Sequence, residues 1–200
     1  MIIARVLTAA ALATAFAVTM ASAQQPQAVP VIGQIQGVDG NLLVVKTQAG
    51  EQKVALTNNV VVWGLAKASV SDVTKGAFIG VGATPQADGS QKAIRVIIFA
   101  EAMRGNGEGH RPWTRPNTTM TNATVDTTVS GVDGQNIMVK YKDGEKKIII
   151  GPDAVIRQYV AGDKSELKPG AHVGINATKQ PDGSLQTARV NVGRGDVIPD

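Results

Sequence analysis

The residues best equipped for chemistry gather in one stretch, "AMRGNGEGHRPWTRPNTTMTN". There Arg104, His110, Arg111, Trp113 and Arg115 set one indole among four basic side chains. An indole beside guanidinium groups supports cation–π stacking, and guanidinium forks bind carboxylate, sulfate or phosphate. Such a group suits a polyanionic or glycan ligand, or an envelope protein partner. It suits equally a structural part, with Trp113 plugging a groove between two domains and the arginines in water. Arg95 and Arg189 recur on an outward strand face. With Lys46/Lys140 and Lys53/Lys147 they give either matching basic patches or charged strand edges that discourage aggregation.

Other chemistries lack their parts. A zinc site needs three or four convergent His, Cys or carboxylate ligands, and the chain has no cysteine and only two histidines, His110 and His172. The nearest approach is His110 with Glu101 or Glu108. "RGNGEGHRP" has the glycines of a dinucleotide loop, but Pro112 follows almost at once where a helix is required. No P-loop lysine, nucleophile elbow or Ser/His/Asp set is in context. No catalytic residue, metal or cofactor is therefore assigned, and the chain is read as a non-enzyme.

The aspartates read as turns. Asp39-Gly40, Asp88-Gly89, Asp133-Gly134, Asp143-Gly144 and Asp182-Gly183 each separate strand-like runs. Glycine takes positive φ there, and aspartate bonds nearby amides. A calcium loop would need more oxygen ligands at alternating positions.

The elements that must position these residues come from a duplication. "GVDGNLLVVKTQAGEQKVAL" at Gly37 matches "GVDGQNIMVKYKDGEKKIII" at Gly131, displaced by 94 residues. The same displacement relates "KGAFIGVGATPQADGSQKAIRV" at Lys75 to "PGAHVGINATKQPDGSLQTARV" at Pro169. A repeated unit of this kind marks a tandem architecture. Within each copy the apolar period is two. Leu43/Val45 and Ile137/Val139 are expected inside. So are Ile79/Val81/Ala83 with Val173/Ile175/Ala177, and Ile94/Val96/Ile98 with Ala188/Val190/Val192. Three strands, a short polar turn and two more strands describe an OB-like barrel. The fold expected is all-β, two tandem OB-like small β-barrels, with antiparallel β-sandwich units as the alternative. The boundaries expected are 1–23 signal peptide, 29–101 first barrel, 102–122 Gly/Pro-rich linker and 123–194 second barrel, each copy closing on a core of its own.

Composition sets the compartment expected. Arg5, an apolar run and Ala21-Ser22-Ala23 form a signal-peptide pattern, with cleavage after Ala23. No later segment has the ~20 apolar residues that a membrane helix needs. Formal charge is +4, or +3 without Arg5, and lysines alternate with acids as in "KYKDGEKK". That is a solvated surface, unlike the concentrated basic face of a nucleic-acid binder. The place expected is the periplasm or the cell exterior.

At "GEGHRPW", "TMTNATV" and the paired "V-D-G … S-x-L-K-P-G … D-G-S … A-R-V" pattern, the chain resembles a bacterial family of exported, duplicated small-barrel domains of unknown function. The resemblance covers nearly the whole mature chain. Members sometimes carry the label metal ABC transporter permease, which conflicts with the missing membrane helices. The first copy departs from "L-K-P-G", reading "VTKG" at Val73–Gly76. The resemblance carries over no catalytic residues. The expectation that results is a soluble periplasmic protein acting as a non-catalytic binding or scaffolding module. The alternatives are an accessory metal- or anion-binding protein using the linker, and, disfavoured by the export signal, an OB-like nucleic-acid binder.

Overall fold

Strand register shows how the two copies of the repeat combine. The computed structural model describes residues 28–131 and 134–199, so the signal-peptide expectation and the Asp133 turn lie outside the described residues. The first copy contributes β1 (Ala28–Asp39), β2 (Leu42–Thr47), β3 (Gly50–Lys67), β4 (Phe78–Pro85) and β5 (Gln91–Ile98). The connecting stretch contributes β6 (Gly109–Pro112). The second copy contributes β7 (Thr119–Gly131), β8 (Gly134–Tyr141), β9 (Gly144–Ile150), β10 (Val155–Ala161), β11 (His172–Lys179) and β12 (Leu185–Gly193). Short 3-10 turns at Val70–Asp72, Glu101–Met103 and Lys164–Glu166 complete the described elements. No helix among the described residues is long and apolar enough to cross a membrane.

The fold is all-β and OB-like. Its closure differs from the expectation that each copy forms its own barrel. One barrel runs β12-β11-β1-β2-β3 and closes through a parallel β3–β12 pairing. The other runs β5-β4-β7-β8-β9 and closes through a parallel β5–β9 pairing. Each therefore takes three strands from one copy and two from the other. The cores are mixed accordingly. Val31, Leu43, Val45 and Val54 pack with Val173, Ile175, Val190 and Val192, and Ile79, Val81 and Val96 pack with Ile137, Val139 and Ile148. The segments 29–101 and 123–194 are units of sequence repetition, while each barrel is assembled from both.

The cause of the exchange lies in β3. Instead of ending with its hairpin, it continues to Lys67, and Trp63–Lys67 pairs antiparallel with Ala161–Arg157 of β10. That register is self-reciprocal under the 94-residue displacement, since Lys67↔Arg157 maps onto Ala161↔Trp63. An approximate twofold axis thus passes between Leu65 and Tyr159, the isologous geometry of a symmetric dimer carried within one chain. In the second copy the equivalent long strand is split into β9 and β10 around Gly151-Pro152. Proline has no N–H to give the ladder. β10 also lies parallel to β5, which joins the barrels into one sheet.

The expected inward set needs one further correction. Gly82 faces Arg95 while Ala83 faces Ala93, so β5 bulges at Ile94. The register between Thr187 and Arg189 slips likewise. A bulge inserts one unpaired residue and shifts the side-chain alternation. Ala93 and Thr187 are consequently buried, Ile94 is half-buried and Ala188 is exposed. Val96, Val190 and Val192 point inward as expected.

The Asp-Gly-Ser segments are turns. One carboxylate oxygen of Asp88 accepts from both the N–H and the hydroxyl of Ser90, at 3.0 and 2.6 Å. Asp182 and Ser184 repeat this at 2.9 and 2.7 Å. Gly89 and Gly183 take positive φ. The bonds from serine hold both carboxyls below the usual carboxylate value.

Candidate functional site

The connecting stretch is folded against the second barrel. Its β6 pairs with the start of β7, Gly109↔Asn122 to Pro112↔Thr119, making a hairpin whose turn carries Trp113 and Arg115. The N–H of Trp113 donates to the Thr118 carbonyl at 3.0 Å, and the Thr118 hydroxyl donates to the Arg115 carbonyl at 2.6 Å. These bonds fix the turn.

Trp113 lies on the outer wall of the second barrel, over Gly82. A Cβ placed on Gly82 would stand 2.6 Å from the indole, so the absence of a side chain there makes the seat. Two guanidinium groups share that ring: Arg95 at 4.9 Å and Arg115 at 5.2 Å from its centroid. Arg95 reaches it because the Ile94 bulge turns Arg95 outward opposite Gly82. We expect Gly82→Ala to lift the indole from the wall and to cost about 1–2 kcal/mol. A red-shifted Trp113 emission in a Trp63→Phe background, with a lower melting temperature, would register the change.

The other expected site residues go elsewhere. Arg104 forms a two-point ion pair with Glu101, donates to the Gly76 carbonyl at 2.9 Å and stacks over Phe78 at 5.9 Å. His110 bonds the Thr121 hydroxyl at 2.8 Å and stacks with Tyr141. Burial, and secondly Lys146, holds its imidazole below the ordinary value. Arg111 donates to the Gly107 carbonyl at 2.8 Å. Arg189 lies over Tyr159 at 5.2 Å and bonds Asn191. The candidates therefore divide among separate places, and only Arg95, Trp113 and Arg115 share one.

The metal alternative fares similarly. Glu101 is committed to Arg104, and Glu108 accepts from the Lys142 N–H at 3.0 Å. Among the described residues no group of three or more His, Cys, Asp or Glu is placed to hold a metal ion.

No family model, curated protein or solved structure matches the chain.

The junction between the barrels is filled by residues that sequence reasoning did not single out. Phe99 stacks on Tyr159 with centroids 5.8 Å apart and meets Phe78 at 5.4 Å. Met103 is buried, and its sulfur lies 3.9 Å from an Arg189 nitrogen. Phe99 and Met103, rather than Trp113, lie at the junction between the two barrels. The sequence signal was an aromatic and a methionine at the edge of a polar stretch, "IFAEAM", which is ambiguous without the partner strand.

Proposed function

We propose that the protein is a soluble, non-catalytic binding module of the cell envelope, whose Arg95–Trp113–Arg115 cluster receives a polyanionic or glycan ligand. The observation that carries this reading is the convergence of two guanidinium groups on one indole seated over a glycine. Guanidinium groups stacked on an indole are held in place by it, and planar guanidinium forks are the groups that match sulfate, phosphate or carboxylate. Trp113 is half-buried and Arg115 is exposed, so a ligand can reach the cluster from solvent. The acid–base side chains of the connecting stretch, Glu101, Glu108 and His110, are each engaged with different partners. That supports binding over catalysis.

The test is titration of the mature protein with heparin and with polyphosphate at low salt, following Trp113 fluorescence in the Trp63→Phe background. Saturable binding is expected, weakened at least about tenfold in Arg95→Ala/Arg115→Ala, because charge-assisted hydrogen bonds contribute about 1.5–3 kcal/mol each. Equal affinity in the double variant would remove this site. Calorimetry with divalent metals and retardation of single-stranded DNA address the two alternatives, metal binding and nucleic-acid binding.

A further inference from the structure

The two barrels are related by the approximate twofold axis, so each feature of one can be compared with its counterpart in the other. The comparison requires the correct correspondence for the first strand. Phe78 and His172 are equivalent, and they face Thr124 and Gln34 respectively. β1 and β7 are therefore displaced by 90 residues, four fewer than the rest of the repeat. The difference is absorbed by a longer β7–β8 hairpin. Residues 119–122, on which β6 is laid, thus correspond to Val29–Ile32.

That counterpart is open. Residues 28–34 of β1 pair with β11 along one edge, but β2 covers the other edge only from Gln34 onward. Among the described residues no strand lies on the free edge of 28–33. A cleft of about 480 Å³ runs there, between Val29–Ile32 and the β2–β3 hairpin residues Gln48, Ala49 and Gln52. In the second barrel the same space, between β7 and the β8–β9 hairpin, is filled by β6. His110 reaches Tyr141 of that hairpin, and Glu108 accepts from Lys142.

We propose that the first barrel binds an extended segment of a partner protein at this edge by strand addition, in the register that β6 adopts on the second barrel. The backbone is aimed correctly. Ile35 exchanges both its groups with the β11 side, donating to the Ala171 carbonyl and accepting from the Gly170 N–H. By the alternation of an antiparallel strand, Ile32 and Pro30 turn theirs to the open edge. Val125, Asn122 and Met120 show the same alternation beneath β6. Pro30 offers only its carbonyl where Met120 offers both groups, so the incoming strand makes one bond fewer and the edge is guarded against indiscriminate pairing. Ile32 is 42% exposed on this edge.

The side chains specify the partner's chemistry. The residue taking the place of His110 meets Val31 instead of Thr121, and Thr47 instead of Tyr141. An imidazole loses its hydroxyl partner there, and an aliphatic side chain gains an apolar floor. The partner is thus an extended peptide with an aliphatic residue at the central position, recognised through backbone hydrogen bonds and one pocket. This gives the binding reading a protein partner on a face separate from Trp113, so heparin affinity and strand addition succeed or fail independently.

The test uses the mature chain and the peptide Gly107–Trp113 with His110→Val. NMR should show shifts at the Ile32 and Gln48–Gln52 amides with millimolar peptide, and at least tenfold slower exchange of the Ile32 amide at saturation. A second arm inserts a copy of residues 105–118 directly before Val29 in the full chain, recreating the β6–β7 connection. Protection of the Ile32 amide should then exceed about a hundredfold. Ile32→Pro removes the N–H that the incoming strand needs, and the peptide-induced shifts at the Gln48–Gln52 amides should then be lost. If that variant melts early, Ala49→Trp fills the cleft from the hairpin side and serves instead. An Ile32 amide that exchanges at its original rate with peptide bound or tethered overturns the proposal. A concentration-dependent dimer that Ile32→Pro dissolves assigns the edge to a second copy and overturns it equally.

Discussion

Divided between Arg104 and Gly105, the chain should yield two fragments that fold together and not apart. Residues 24–104 alone bring β1, β2 and β3 to one barrel and β4 and β5 to the other. The first barrel then lacks Val173, Ile175, Ala177, Val190 and Val192. Burial of each larger aliphatic side chain contributes about 1.5–3 kcal/mol, and the loss of several exceeds much of the usual 5–15 kcal/mol stability of a domain. Closing the fragment on itself would require residues 68–77 to reverse direction and would forfeit the β3–β10 and β5–β10 pairings. The expected result is little cooperative unfolding from either fragment at micromolar concentration. Mixing should restore a strand-type circular dichroism spectrum and a cooperative, concentration-dependent transition at 1:1 stoichiometry. A fragment that melts cooperatively as a monomer, at the temperature of the whole chain, would contradict the exchanged topology.

The second large effect is expected at Gly33. A Cβ there would stand 2.1 Å from the Lys46 carbonyl oxygen and 2.8 Å from its carbon. Both are backbone atoms of β2, in a ladder whose next pair is Gln34↔Lys46. No rotamer change relieves that collision, so β1 and β2 must separate where β1 passes from one neighbour to the next. Gly33→Ala should cost about 3 kcal/mol or more, at or above the range for overpacked cores. Urea denaturation would measure it. Gly37→Ala provides the control, since a Cβ there meets nothing within 4 Å; a matching loss in both would mean that the contact at Gly33 is not the cause.

Much of the fold was legible because alternation is a local property. Leu43, Val45, Ile137 and Val139 announce their inward faces from their own neighbours, and all four are buried. The Asp-Gly-Ser turns were legible for the same reason. The bulges at Ile94 and near Ala188 were not, since nothing in "AIRV" or "TARV" marks the extra residue that turns Ala93 and Thr187 inward. The exchange of strands was hidden more deeply. The two copies are so alike that β4 and β11 are near-interchangeable partners for β1 and β7. The arrangement turns on where the end of β3 goes: Trp63–Lys67 runs on to pair with β10, a long-range pairing that side-chain alternation does not announce. The "GVDG" match also concealed the four-residue offset of the first strand, because the matching letters lie at hairpin positions that are not structurally equivalent. At the site, the basic and aromatic residues of the connecting stretch were visible, but a sequence cannot say which wall they lie on. Gly82, the residue that seats Trp113, reads only as a flexible point in a strand.

The exchange also governs the order in which the chain can settle. Strands β1 to β3 leave the ribosome first, yet the partners that close their barrel are the last strands made. Until residues 172–193 arrive, the N-terminal segment has no interior to enter, and its ladders wait on contacts more than a hundred residues distant. Such long-range closure slows folding. The second barrel, built from the continuous stretch 78–150, can close as soon as that stretch is made, whereas the first stays open until the last two strands arrive, so the two interiors form in the reverse of the order in which their first strands are synthesised.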